Sequence, residues 1–240
     1  MKIMRKYAIV AVLVAGVAGL SVRANADTLL SLPAGYFNKP AVIAGAKLFA
    51  RHCSACHSVQ SLRFNRLASL GMTKAEIQKD VMLESGANYL QGMQPAMTLA
   101  QAKGWFGMPP PDLSHMVRNL GAGFIYNYLQ SFYWDPSRPS GWNNHLFPKV
   151  AMPNVLQPWS GIVTKQGKVI EPGRVTPAAF HKKVADIVAF LRYASDPSVF
   201  TRYKLGGYVL GALIAFSLIA YWLKKEYWKD VHSDSAKHKK

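Results

Sequence analysis

The sequence predicts a mostly α-helical domain with long loops, followed by one membrane-spanning helix at the C-terminus. Three observations predict it. Capped segments with apolar residues at helical spacing recur along the chain. Strand-like alternation is scarce, and long Pro- and Gly-rich stretches separate the helical segments. A charge-free apolar run near the end is long enough to cross a bilayer. Of the 240 residues, 27–200 are read as one domain, a size that buries an ordinary single core.

The chain begins with Lys2, Arg5 and Lys6 ahead of an apolar run from Ala8 to Leu20, and Ala24-Asn25-Ala26 offers a small-x-small cleavage site. That is the pattern of a secretory signal peptide, so residues 1–26 are expected to be removed and Asp27 to start the mature chain. The run is shorter than the roughly 20 apolar residues of a span, which argues against an uncleaved anchor. Ala41 to Arg51 reads as a helix that leads into Cys53. Thr73 caps a helix from Lys74 to Ser85, with Glu76 at the capping-box position. Gly123 to Tyr133 reads as an aromatic-rich helix. Pro177 starts a last domain helix, to Ala194, in which Val184, Ile187, Val188 and Leu191 repeat at i, i+3, i+4 and i+7. Segments 86–114 and 135–177 are expected to be loops, stiffened at Pro109, Pro110 and Pro111. Leu205 to Leu223 carries no charge, is flanked by Tyr and Trp, and is followed by Lys224, Lys225 and Lys229. Residues 201–223 are therefore read as the anchor, and 224–240 as a basic tail on the cytoplasmic side.

Cys53-Ser54-Ala55-Cys56-His57 is a C-x-x-C-H motif, the attachment site of a c-type haem. Two intervening residues place the thiols at about the spacing of the porphyrin vinyl groups, and His57 then lies under the iron as proximal ligand. No other cysteine is present, so one covalently attached haem c and no disulfide are expected. A zinc site would need further cysteines, and a thiol redox pair would need no histidine after it. An electron-transfer iron takes a second axial ligand. Met72, Met82, Met93, Met97, Met108, Met116 and Met152 remain once the signal is gone. Met152 is set apart by Pro148, Pro153 and Pro158; Met108 rivals it beside the proline run; His52, His115, His145 and His181 are also available. The residues alone leave that choice open.

Several longer pieces stand in order: LFARHCSACHS (Leu48 to Ser58), LRFNRL (Leu62 to Leu67), PPDLS (Pro110 to Ser114), YLQSFYWDPSRP (Tyr128 to Pro139), NNHLFPKVAMP (Asn143 to Pro153), VADIVAFLRY (Val184 to Tyr193) and the terminal anchor. In these the chain resembles cytochrome c1, the haem subunit of the quinol–cytochrome c reductase (cytochrome bc1) complex, over nearly its whole mature length. The resemblance implies a class I c-type cytochrome-like haem domain. It implies Met152, in the Ala-Met-Pro loop, as the second iron ligand. It implies Pro110 and Pro111 as part of the haem-edge loop, and Arg118 as partner of a haem propionate, which a guanidinium bonds bidentately. Leu120 stands where the family often has a second arginine, and Gly123-Phe124 where it usually has Asp-Tyr. A tyrosine hydroxyl toward the haem is therefore not carried over.

The implied role is a one-electron relay. The donor would be a Rieske iron–sulfur protein and the acceptor a c-type cytochrome, with quinol oxidation on cytochrome b. The chain is then no enzyme by itself but a subunit of a proton-translocating oxidoreductase. The haem domain would be periplasmic and the anchor in the bacterial inner membrane. Two other functions share parts of the pattern: an independent membrane-anchored cytochrome feeding a terminal oxidase, and an open-site haem enzyme or sensor.

Charge sets the chain apart. Formal net charge is +17, and residues 27–200 alone carry 17 basic against 9 acidic side chains. An acidic redox partner would meet a complementary field. An acidic periplasm would equally favour few carboxylates, since fewer must be protonated, and a basic face that is merely solvated is the plain alternative. Nucleic acid is excluded as a partner, because the charge is diffuse and the domain is exported.

Overall fold

The computed structural model describes residues 29–237. The expected signal peptide and its cleavage site lie outside the described residues. Helix α1 (Lys39–His52) starts at Asn38, whose side chain accepts the Ala41 N–H, with a proline in the first turn. Strand β1 (Val59–Arg63) follows, then a 3₁₀ segment (Phe64–Leu70) and helix α2 (Lys74–Asp80). The capping box at Thr73 and Glu76 is formed as expected. The helix is shorter than expected, however. The Ile77 carbonyl accepts both the Val81 and Met82 N–H groups, and the chain leaves the helix there.

The stretch 86–114, expected to be loop, holds β2 (Gly92–Met93) and helix α3 (Leu99–Phe106). A second capping box, Thr98 with Gln101, starts α3. Two short helices follow, α4 (Met116–Leu120) and α5 (Ala122–Tyr128). The aromatic segment expected to be helical to Tyr133 turns instead into β3 (Phe132–Trp134), which pairs antiparallel with β4 (Trp142–Asn144). Aromatic residues suit a pleated ribbon when a partner strand is available. After a single turn, α6 (Gln157–Ser160), β5 (Gly161–Val163) pairs with β6 (Val169–Pro172). The domain closes with α7 (Pro177–Ser195), capped by Thr176.

Helices α1 and α7 pack on each other and form the centre of the core. Val42, Ala46, Phe49, Val184, Ile187, Val188 and Leu191 are buried there, and the Phe49 and Phe190 rings lie 5.1 Å apart. The contact is close because Gly45 has no side chain: a Cβ there would sit 1.9 Å from the Asp186 carbonyl oxygen.

The final helix, α8, runs from Val199 to Lys237 and includes the candidate membrane span Val199–Lys229. It begins two residues before the expected anchor and continues into the basic tail. Its large apolar side chains, such as Tyr208, Leu210, Phe216 and Trp222, are exposed. The base of the helix is tied to the domain. Phe200 stacks on Phe37 at 5.1 Å, the Arg192 guanidinium lies 4.2 Å from the Phe37 ring centroid, and Arg202 pairs with Asp196 at 2.6 Å.

Candidate functional site

The C-x-x-C-H segment continues directly from α1. The Phe49 carbonyl accepts the Cys53 and Ser54 N–H groups at 2.8 and 3.0 Å, and the Cys53 carbonyl accepts those of Cys56 and His57 at 3.1 and 2.8 Å. One tight turn thus carries both thiols and the imidazole. The cysteines are not joined to each other; Cys53 is buried and Cys56 half-buried. Burial pushes the Cys53 thiol up to about 12 and raises that of Cys56 as well. Thiols held protonated in this way are poor redox nucleophiles.

The ring of His57 is fixed from a distant part of the chain. Its Nδ1–H donates to the Pro111 carbonyl at 2.8 Å. The carbonyl can only accept, so the proton is on Nδ1 and Nε2 keeps its lone pair. Burial lowers the affinity of this imidazole for a second proton, against the opposing pull of the Pro111 bond and of Asp112.

Asp112 holds that proline loop in place. Its carboxylate accepts from Ser58 Oγ (2.6 Å), the Gln60 N–H (2.9 Å) and the Ser114 N–H (2.9 Å). The Leu113 N–H donates to the Ser58 carbonyl at 2.9 Å. From the other side, the Ala96 and Met97 N–H groups donate to the Ser54 and Ala55 carbonyls at 3.1 and 2.9 Å. Between these loops lies a cleft of about 320 Å³, lined in part by Cys56, Ser58, Met97, Pro109 and Pro110.

Burial pushes the Asp112 carboxyl up, but the hydrogen bonds from Ser114, Ser58 and Gln60 together bring it below the usual carboxylate range. A lowered folded-state value contributes stability above the unfolded value, and that stability is lost as pH falls through the folded one. Asp112→Asn is expected to lower stability at neutral pH by about 1 kcal/mol, screening by solvent included. It should also flatten the acid limb of a plot of unfolding free energy against pH. Equal acid limbs for variant and parent would disprove the clamp.

Met152, the other expected ligand, is half-buried and packed against the core. Its Sδ accepts the Tyr128 hydroxyl at 3.6 Å. The preceding loop is built by two asparagines. Asn143 Oδ1 accepts the Lys149 N–H at 2.8 Å, and Asn144 Nδ2 donates to the Tyr128 carbonyl at 2.8 Å. Arg138 Nη2 donates to the Lys149 carbonyl at 2.8 Å, while the buried Arg138 Nε has no partner among the described residues.

The other candidates for the second ligand are placed differently. Met108 is 67% exposed, and Met72 and Met93 are core residues. His52 packs edge-on against Trp159. His115 bonds Ser61 Oγ, and His181 bonds Gln130 Oε1. His145 lies over Tyr133. Arg118 is exposed on α4 and makes no ion pair or hydrogen bond among the described residues. Sequence reasoning missed Asp112, Tyr128 and Asn144 as working residues. Each stands within a piece that carries the family resemblance, PPDLS, YLQSFYWDPSRP or NNHLFPKVAMP, and that was the signal for it.

The chemistry of the set fits a c-type haem. Two separate thiols stand in one turn, an imidazole has one nitrogen engaged and the other free, and a thioether is held by a donor. A buried guanidinium nitrogen without a partner beside the Met152 loop suits an acidic group such as a propionate.

A family model described as "Cytochrome C1 family" matches residues 30–231. A protein of Nitrosomonas europaea named ammonia monooxygenase gamma subunit is 40% identical over 81% of this chain and 85% of its own length. Cytochrome c1 of Allochromatium vinosum is 40% identical over 78% of this chain and 83% of its own. A solved chain from a hyperthermophilic respiratory complex III is 21% identical, covers 79% of this chain and 75% of its own, and has a TM-score of 0.40. That last likeness is too slight to add to the assignment.

Proposed function

The chain belongs to the cytochrome c1 family, and from that premise we propose that it relays single electrons from a Rieske iron–sulfur protein to a c-type cytochrome, through a haem bound covalently at Cys53 and Cys56. It is an electron-transfer subunit of the cytochrome bc1 type, carried by one apolar C-terminal helix that fits a single-pass anchor. Cytochrome b is the proposed membrane neighbour of that helix. The haem domain is assigned to the periplasm and the basic tail to the cytoplasm, on the positive-inside argument.

Bound haem supplies a reversible one-electron change at iron. The residues supply everything else. Cys53 and Cys56 provide the two thioether links, His57 offers Nε2, and the Pro111 carbonyl holds the ring at its other nitrogen. Such outer contacts fix ligand orientation and basicity. Met152 would hold the iron through its sulfur, and an iron so filled would leave no position for a substrate. Pro110 and Pro111 form the rigid wall of the edge. Arg118, exposed on α4, is proposed to pair with a haem propionate, which a guanidinium bonds bidentately.

The observation that carries this reading is the joint presence of two unpaired thiols and a His57 ring with Nδ1 already committed to Pro111. Nothing among the described residues favours an independent oxidase donor or an open-site haem enzyme. Purification from native membranes in mild detergent tests the proposal. Cytochrome b and Rieske protein should co-purify, and quinol should reduce the haem of this chain. A preparation that holds neither partner, or whose ferrous haem binds carbon monoxide rapidly, would refute it.

A further inference from the structure

We propose that Tyr128 is the positioning residue for the Met152 thioether: its hydroxyl engages one sulfur lone pair and leaves the other directed to the iron. This rests on the reading of Met152 as the second ligand.

The phenol oxygen lies 3.6 Å from Sδ, within hydrogen-bond reach of sulfur, and Met152 is its only hydrogen-bond partner among the described residues. A thioether is a weak acceptor, and a half-buried hydroxyl ordinarily finds a stronger one. The pairing is enforced by its surroundings. Tyr128 stacks on Phe124, with centroids 6.2 Å apart and planes 19° from parallel, and meets Phe132 edge-on at 5.4 Å. The ring cannot swing to another partner without breaking both contacts.

The same residue also holds the loop that delivers the sulfur. Its carbonyl accepts Asn144 Nδ2 at 2.8 Å, and Asn144 Oδ1 accepts the Leu146 and Phe147 N–H groups at 2.9 and 3.2 Å. Tyr128 therefore grips the Met152 segment twice, by its main chain at the root of the loop and by its hydroxyl at the tip. Methionine has three rotatable bonds and by itself presents either lone pair. A donor on one of them settles which remains. The hydrogen bond also draws electron density from the sulfur. Ferric iron needs that density more than ferrous iron does, so the contact holds the potential up.

The test uses the whole chain in its membrane complex. Tyr128→Phe keeps the ring and both aromatic contacts and removes only the hydroxyl. Haem content should be unchanged, the midpoint potential should fall, and the ferric protein should bind added imidazole more tightly by roughly fivefold, the size of one net hydrogen bond. Tyr126→Phe removes another tyrosine hydroxyl of α5, one with no bond to Met152, and should leave both readouts near the parent values. Equal potentials and imidazole affinities for Tyr128→Phe and the parent would overturn the proposal, as would a Tyr126→Phe effect as large as that of Tyr128→Phe. The parent protein offers a second measurement. Exchange into heavy water should shift its iron–sulfur stretch, and an unshifted band would also count against the contact. If Met152→Ala itself leaves the potential unchanged, the ligand reading fails; if it alters the potential while Tyr128→Phe does not, only the positioning role fails.

Discussion

Met152→Ala is expected to leave the haem attached at Cys53 and Cys56 while lowering its midpoint potential by on the order of 0.2 V, a fraction of the roughly 0.8 V range that axial ligands set. The sign follows from ligand chemistry. Thioether sulfur stabilises ferrous relative to ferric iron, and water or hydroxide in its place does the reverse. The variant should lose the optical band from sulfur ligation, bind carbon monoxide when reduced, and stop quinol-driven electron transfer. Folding should survive, because Met152 is only half-buried and its loop is held by Asn143, Asn144 and Arg138 rather than by its own side chain. A redox titration and an absorption spectrum check this. A variant with the parent potential and an unaltered sulfur band would remove Met152 from the site.

Gly45→Ala should have the largest effect on folding. Its new methyl would lie 1.9 Å from the Asp186 carbonyl oxygen and 2.9 Å from Phe190 Cβ. Neither is the movable end of a side chain, so α1 and α7 must separate. Overpacking of this kind costs about 3 kcal/mol, and more where backbone blocks the way. Since α1 leads directly into Cys53, the shift also displaces the turn that carries Cys53, Cys56 and His57. Gly104→Ala is the contrast. Gly104 lies inside α3 with open space around its would-be Cβ, and the change should stabilise by about 0.5–1 kcal/mol. Denaturant unfolding and the yield of haem-loaded protein measure both. A Gly45→Ala protein as stable as its parent would mean that α1 and α7 do not meet as described.

Much of the fold was legible because the signals are local. The capping box at Thr73 and the Pro177 start with its apolar spacing both describe neighbours in sequence, and both helices begin where expected. The Thr98–Gln101 box is an equally local signal, set in a stretch whose prolines and glycines read as loop. The ends were harder. The helix from Lys74 stops at Asp80, and the one expected to reach Tyr133 gives way to a strand, because Phe132 to Trp134 pair with a ribbon that starts eight residues further on. Aromatic residues fit either state, and the partner decides.

The site divides the same way. The two thiols, the imidazole and the apolar anchor are each contained in one stretch of chain, so covalent adjacency and composition identified them without a fold. What binds the second nitrogen of His57, which aromatic ring faces Met152, and where Arg118 ends up depend on segments tens of residues apart. His57 meets Pro111 across 54 positions, and Tyr128 meets Met152 across 24. No periodicity encodes such pairs. They exist only once the close α1–α7 contact and the asparagine-bound loops bring those segments to hydrogen-bond distance, and a ligand's orientation is set at that distance.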